Sequence, residues 1–211
     1  FALDVRLTSD GGYVAAGLAA TTRGNDFMVV RLDGRGTVRW QKEFGGMLED
    51  DGSAIIETDD GGFLVVGDSN SFGPGGACGP VQPEPCRQAL AIKLSSDGSI
   101  VWQATYGNDG DDAMLSIDRT GDGDYIVAGF TQTPDAHSVC PADELYRCRD
   151  AWLLKLGTDG TIKWQKRYGG GDEDVAKSVI ATPDGGFIFC GTTASANGHQ
   201  NAWLVRLNRD G

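Results

Sequence analysis

An aspartate recurs at three positions of the sequence at one constant interval: Asp50, Asp112 and Asp174. Each lies in a short acidic segment that follows a glycine. Because Ca²⁺ prefers carboxylate oxygens, these segments predict a possible calcium site, and no other cofactor is predicted. The alternative is that each carboxylate accepts hydrogen bonds from the backbone of the glycine corner. We favour this structural role, since the distal glutamate of an EF-hand loop is absent.

The five cysteines also follow the repeat. Cys78 and Cys86 form one closely spaced pair, and Cys140 and Cys148 show the same spacing one repeat later. Two like-spaced pairs in equivalent loops predict two local disulfides and therefore an oxidising compartment. Zinc is the alternative, but no histidine stands at ligand spacing. Cys190 occupies a repeat position held elsewhere by alanine or valine, which predicts a small buried side chain.

Other catalytic arrangements are not supported by the sequence, and no catalytic residue is predicted. His137 and His199 lie in different loops, and neither has a serine or cysteine partner in a triad-like arrangement. Three tryptophans at the spacing of the repeat resemble those of quinoprotein propellers. Their position on outer strands indicates packing between repeat units instead. They are Trp40, Trp102 and Trp164.

The elements that must position these residues are repeated β-units. Each unit contains a tight turn with an Asp-Gly pair that leads into an aromatic residue. These turns are at positions 10–13, 60–63, 122–125 and 184–187. The spacing between the first two turns is shorter than the two equal spacings that follow. A unit of this length cannot bury a core alone, so the units must stack on one another.

Four strands are predicted in each unit. The first is short and mixed, and the second and third are apolar on both faces, which is typical of buried strands. The fourth alternates, with Ile162, Trp164 and Tyr168 on one side and Lys163, Gln165 and Arg167 on the other. One apolar and one polar face indicate an outermost strand. The repeated unit is therefore a β-propeller blade.

The sequence thus predicts an all-β fold, a propeller of four-stranded antiparallel blades in a single domain. The blades cover residues 1–44, 51–106, 112–168 and 174–211, and the last lacks its outer strand. A β-sandwich is the alternative, but it does not require identical units at fixed spacing. The chain begins mid-pattern at Phe1, so we expect a processed chain or a fragment. A larger ring, a ring completed by two chains and a ring of these four blades all remain open, and we favour the first.

The repeat resembles a known family. The pattern Trp-x3-Tyr-Gly-Gly, then Asp-Gly-Gly-Tyr-x-Val-x-Gly, then Asp-x-Trp/Phe-x-x-Lys-Leu is similar to that of bacterial and archaeal extracellular β-propeller repeat proteins, often predicted as seven-bladed. The resemblance covers essentially the whole chain. It implies a secreted or cell-surface propeller and brings no established catalytic residues.

Charge narrows the range of partners. The net charge of −12 and the pI near 4.4 disfavour binding to nucleic acid or anionic membranes. They favour solubility, cations or a basic partner. No apolar run reaches membrane-spanning length, and no signal peptide is recognised. We expect an extracellular or cell-surface location, with the periplasm as a further possibility.

Two long loops are expected to form the recognition surface. In a blade, the loop between the second and third strands and the connection to the next blade lie on one face, here called the loop-bearing face. The loops at 69–88 and 131–150 belong to neighbouring blades, and long loops on a rigid scaffold commonly bind partners. The candidate binding residues are Asn70, Phe72, Gln82, Arg87, His137, Glu144, Tyr146 and Arg149.

The predicted function is a non-enzymatic extracellular scaffold that recognises a protein, glycan or cell-surface component through this acidic face. Alternatively, the loops only cover an edge or a neighbouring subunit. A propeller enzyme, such as a lyase, hydrolase or quinoprotein, is the second functional class. An enzyme would break the repeat around the channel, whereas here the repeat is expected to differ in loop length alone. Self-association through the last blade, which lacks its outer strand, is a further expectation.

Overall fold

The computed structural model describes residues 1–22, 24–72, 86–108, 110–132, 149–170, 173–194 and 199–211. Within these residues the chain consists of β-strands, turns and short connections, and no helix occurs that could span a membrane. The strands form four antiparallel sheets, three with four strands and one with three. This arrangement confirms the predicted all-β fold of four blades.

Each sheet is a simple meander in which strands adjacent in sequence are paired. Blade one contains β1 (Ala2–Leu7), β2 (Tyr13–Thr21), β3 (Gly24–Leu32) and β4 (Val38–Phe44). Blade two contains β5 (Asp50–Glu57), β6 (Phe63–Ser69), β7 (Gln88–Leu94) and β8 (Ile100–Tyr106). Blade three contains β9 (Asp112–Arg119), β10 (Tyr125–Thr131), β11 (Asp150–Leu156) and β12 (Ile162–Tyr168). Blade four contains β13 (Asp174–Ala181), β14 (Phe187–Ala194) and β15 (Gln200–Leu207).

The turn between the first two strands explains why aspartate and glycine recur there. In blade two, the Asp60 carboxylate accepts hydrogen bonds from the Thr58 hydroxyl at 2.6 Å and the Gly62 N–H at 3.1 Å. Gly61 has a φ of 75°, which a residue without Cβ adopts at little cost. The buried Lys93 of the third strand also donates to Asp60, at 2.9 Å. The Thr58 and Lys93 bonds lower the pKa of Asp60 to about 2.

The recurring glycine near the end of each second strand has a different cause. It lies opposite a β-bulge in the first strand, where the register shifts by one residue. At Gly129, a Cβ atom would lie 1.9 Å from the carbonyl oxygen of Ala113. The equivalent glycines in the other blades are Gly17, Gly67 and Gly191, where the corresponding distance is 2.0, 1.8 and 1.8 Å. The backbone of the first strand therefore approaches the second strand so closely at this position that only glycine fits.

The core consists of layers between neighbouring blades. Apolar side chains from the two central strands of each blade pack against the next blade, as in the cluster of Val14, Phe27 and Val29 against Ile55 and Phe63. The outer-strand tryptophans complete these layers, as the sequence predicted. Trp40 packs edge-on against Phe63 with ring centroids 5.8 Å apart, and Trp164 packs in the same way against Phe187 at 5.7 Å.

The four blades stack in a row, and the described residues form no closed ring. The outward faces of the first and last blades therefore remain uncovered. On blade four, Ile180 is 53% exposed and Leu204 is 75% exposed. Cys190 lies on the same face and is exposed, so the prediction of a buried side chain was wrong. Its repeat position is buried only where another blade follows.

Candidate binding site on the loop-bearing face

The three recurring aspartates are buried and cap the corners that precede them. One carboxylate oxygen of Asp50 accepts a hydrogen bond from the Gly46 N–H at 2.8 Å. Asp112 accepts from the Asn108 N–H at 3.0 Å, and Asp174 accepts from the Gly170 N–H at 2.8 Å. Among the residues that the structure describes, no group of three or more His, Cys, Asp or Glu side chains could hold a metal ion. The calcium role of these aspartates stays a prediction.

The beginning of the long loop of blade two is fixed to one of these corners. The Ser71 hydroxyl donates to the Asp50 carboxylate at 2.7 Å, and the Ser69 hydroxyl bonds to its other oxygen. The Asn70 N–H donates to the carbonyl oxygen of Glu49 at 2.8 Å. Phe72 is partly buried and packs against the core between blades one and two. Asn70 and Phe72 therefore anchor the start of the loop.

The ends of the two long loops meet at a single carboxylate. Arg87, where the loop of blade two ends, donates two hydrogen bonds of 2.9 Å to the two carboxylate oxygens of Asp111. Arg149, where the loop of blade three ends, donates to the same carboxylate at 2.6 Å. Two-point pairing of guanidinium and carboxylate is among the strongest hydrogen-bonded ion pairs. The two arginines and Asp111 are called the arginine–aspartate bridge below.

Further contacts hold the bridge in place. The Arg149 guanidinium carbon lies 4.3 Å from the ring centroid of Phe130, and that of Arg87 lies 5.8 Å away. A cation over an aromatic face is attracted by the ring quadrupole. Arg149 also approaches Glu173 at 3.4 Å, which extends the bridge to the start of blade four. The same surface region thus joins three consecutive blades.

The opposite charges in the bridge shift the pKa values of Asp111 and Arg87 so that both side chains stay ionised. Burial acts to raise the pKa of Asp111, but the bonds from Arg87 and the charges of both arginines outweigh it and hold the pKa below its ordinary value. The bonds to Asp111 in turn raise the pKa of Arg87 above its usual range. Both partners therefore stay ionised throughout the physiological range of pH.

Two carboxyl groups lie next to the bridge, and neither was among the predicted site residues. Asp51 and Asp68 face each other across β5 and β6, and Arg87 approaches Asp68 at 3.5 Å. Burial raises the pKa of Asp68 to about 7, and burial together with nearby Glu49 raises the pKa of Asp51. The equivalent pair in blade three is Ala113 and Phe130. Comparing these repeat positions in the sequence shows that blades two and three differ here in residue type as well as in loop length.

The raised pKa of Asp68 predicts a specific pH dependence. An unfolded aspartate titrates near pH 4. Between about pH 4 and pH 7, Asp68 therefore carries a proton in the folded chain that it has lost in the unfolded chain. The contribution of Asp68 to stability is thus complete below pH 4 and is lost as the pH rises through 7. Because asparagine cannot ionise, we expect Asp68→Asn to be more stable than the wild type at pH 8 by about 1–3 kcal/mol.

Urea denaturation of both proteins between pH 4 and pH 8 measures this difference. Other aspartates with shifted pKa values are present in both proteins, so their contributions cancel. The difference in unfolding free energy is expected to vanish near pH 4. A difference that is the same at every pH would contradict the assignment of the raised pKa to Asp68.

The remaining predicted site residues lie outside the described residues. These are Gln82, His137, Glu144 and Tyr146, together with Cys78, Cys140 and Cys148. Cys86 is described and is buried beside Arg87. Both predicted disulfides stay predictions. Of the eight candidate binding residues, the structure brings together Arg87 and Arg149, while Asn70 and Phe72 lie at the other end of the blade-two loop.

The fold and this face define an array of propeller-type antiparallel blades with one elaborated surface. No known protein family matches the sequence. No curated protein is similar to it.

A solved structure shares the fold. The whole chain aligns with a protein of unknown function from Bacteroides caccae, at a TM-score of 0.56 and 14% sequence identity. The chain spans less than two thirds of that protein, 64% of its length. A tail fiber of Staphylococcus aureus phage P68 aligns over 99% of the chain and 50% of its own length, with a TM-score of 0.32 and 7% identity. At so low an identity the first similarity shows the fold alone, and the second is too weak to support an argument.

Proposed function

We propose that this protein is a non-enzymatic binding scaffold that works outside the cytoplasm. Its recognition surface consists of the two long loops of blades two and three, and its partner is a protein, a glycan or another cell-surface component. The observation that supports this most directly is the arginine–aspartate bridge. A single carboxylate, Asp111, holds the last residues of both loops, Arg87 and Arg149.

The bridge matters for binding because it fixes the spacing of the two loops. A loop with a fixed root loses less conformational entropy when a partner orders it, which leaves more of the contact energy for affinity. The two disulfides proposed within these loops would restrict them further, and an oxidising compartment would allow those disulfides to persist. The acidic net charge of −12 favours a partner with basic groups on its contact surface.

Shortening both loops tests this function. In the variant, short glycine–serine linkers replace residues 73–85 and 133–148, which leaves the anchor Phe72 and the bridge intact. We expect specific binding to fall at least tenfold, while the circular dichroism spectrum stays that of the wild type. Binding is measured on a glycan array and against a surface-displayed peptide library, with the purified wild-type chain as the reference.

A matched control replaces residues 195–198, in the corresponding loop of blade four, by a linker of the same composition. This control should bind as the wild type does. If the variant with both loops shortened keeps full affinity for the ligands selected by the wild type, the loops are not the recognition surface. The proposal would also be contradicted if the wild-type chain bound no member of the glycan array or of the peptide library.

A further inference from the structure

We propose that the first corner, residues 45–49 between blades one and two, binds a calcium ion through the carboxylates of Asp26 and Asp50. Asp26 lies on β3 of blade one, and Asp50 begins β5 of blade two, so the ion joins the two blades. The sequence predicted a calcium role only for the recurring aspartates, and Asp26 is not one of them. Backbone carbonyl oxygens and water complete the coordination, since Ca²⁺ accepts both as ligands in proteins.

The first observation is a buried carboxylate without a partner. Asp26 is only 5% exposed, and its Oδ1 atom is buried and has no hydrogen-bond partner among the described residues. No lysine or arginine in the described part of the chain forms an ion pair with Asp26. Buried charges in proteins are paired or bind a metal ion, because an isolated charge loses its hydration without compensation. Asp26 therefore requires a positive partner.

The second observation is that the Asp50 carboxylate faces the same small space. A Cβ atom on Gly45 would lie 2.9 Å from Asp50 Oδ2 and closer still to Asp26 Oδ1. The position of Asp50 Oδ2 is fixed, because it accepts hydrogen bonds from the Gly46 N–H at 2.8 Å and the Ser71 hydroxyl at 2.7 Å. Oxygen atoms of two carboxylates thus converge beside a glycine. A divalent cation between them neutralises both charges.

The third observation comes from the equivalent corner between blades two and three. There Gln88 holds the position of Asp26, because each lies two residues before the partner of the recurring glycine of the second strand. The Gln88 amide nitrogen donates to the carbonyl oxygens of Asn108 at 2.9 Å and Gly110 at 3.3 Å. A positively polarised NH₂ group therefore lies among these carbonyl oxygens. An aspartate has no such donor, so in the first corner a cation takes the place of the NH₂ group.

The fourth observation is that blade three supplies a positive side chain where blade one does not. Asp150 and Asp174 lie close to Gly169 in the same arrangement. Arg167 on the outer strand lies 4.0 Å from Asp150 and offsets its charge. The pairing of the third and fourth strands shows that Glu43 holds the position of Arg167 in blade one. The first corner thus has a second acidic side chain where the later corner has a basic one.

Calcium in the first corner also supports the long loop of blade two. The Asp50 carboxylate accepts hydrogen bonds from the hydroxyls of Ser69 and Ser71, at the start of that loop. An ion that fixes Asp50 therefore fixes the root of the loop. This consequence rests on the proposed function, whereas calcium binding itself does not.

Calorimetric titration of the full chain with CaCl₂, after treatment with EDTA, tests the site. We expect a saturable site with a dissociation constant on the order of 10⁻⁴ M. In about 10 mM CaCl₂ the melting temperature should rise by about 5 °C or more, since the ion binds only the folded chain. Asp26→Asn keeps the shape of the side chain and removes its charge. It should weaken calcium binding at least tenfold and abolish the rise in melting temperature.

Asp33→Asn is the matched control, because it removes one carboxylate from the turn at the opposite end of β3. It should bind calcium as the wild type does. Glu43→Arg provides an independent test, since it introduces the cation that blade three has at this position and leaves both ligands in place. We expect it to weaken calcium binding at least tenfold and to raise the melting temperature in EDTA.

Three results would overturn the proposal. The first is the absence of saturable calcium binding by the wild type. The second is calcium binding by Asp26→Asn that is as tight as in the wild type, which would place the ion elsewhere. The third is unchanged binding by Glu43→Arg. None of these measurements involves the partner of the long loops, so a failure here is distinguishable from a failure of the proposed function.

Discussion

Replacing Gly129 by alanine is expected to lower the free energy of unfolding by about 3 kcal/mol or more. The new Cβ atom would lie 1.9 Å from the carbonyl oxygen of Ala113 and 3.0 Å from the Cα atom of Met114. Both are backbone atoms of β9, the first strand of blade three, so this strand would have to move as a unit. Overpacking of this kind costs about 1–3 kcal/mol where side chains can adjust, and more where the backbone must shift.

Gly121→Ala provides the matched control for this measurement. Gly121 lies in a turn of the same blade, its φ is not in the left-handed region, and a Cβ atom there would have no neighbour within 4 Å. Its stability should stay within about 0.5 kcal/mol of the wild type. Denaturation in urea, with the slope compared between proteins, gives both values. Equal stability of the two variants would mean that the close backbone approach at Gly129 is not a structural constraint.

The second large effect is expected from Asp111→Ala. This change removes the carboxylate that pairs with Arg87 and Arg149 and leaves two partly buried guanidinium groups facing each other. Loss of one partner from a buried ion pair typically costs about 3–5 kcal/mol. Because the arginines are partly exposed here, we expect a loss of about 2–4 kcal/mol. Ligand affinity should fall as well, since the loop roots would no longer share an anchor.

Asp59→Ala is the appropriate comparison, since Asp59 pairs with Arg119 at the protein surface, where both side chains are largely exposed. A surface pair contributes about 0–1 kcal/mol, so this variant should unfold close to the wild type. The two variants are compared by urea denaturation at pH 7. If Asp111→Ala were as stable as Asp59→Ala, the bridge would not determine the geometry of the loop roots.

Much of the fold follows from the spacing of a few residue types. Asp60 and Gly61 define a tight turn because the carboxylate accepts local hydrogen bonds and glycine tolerates a positive φ. Trp40 and Trp164 indicated packing between blades because they lie on the apolar side of alternating strands. These are local rules, repeated in each unit, so a single sequence was sufficient to predict the sheets and their order.

The candidate site was less predictable because its contacts join different blades. Arg87 and Arg149 were selected as loop residues, but nothing in their local sequence shows that both contact Asp111. The burial of Asp68 is likewise not evident from its local sequence. Cys190 shows that a repeat pattern can also mislead. Its repeat position is buried in the other blades but exposed in blade four, at the end of the row.

The unequal loops between the second and third strands have a consequence for how this scaffold can diversify. Blade one and blade two pair their strands in equivalent registers although the loops between their second and third strands differ greatly in length. Insertions on one side of the molecule therefore leave the hydrogen-bonded ladders unchanged. Binding specificity can therefore change through the loops while the sheets keep their stability.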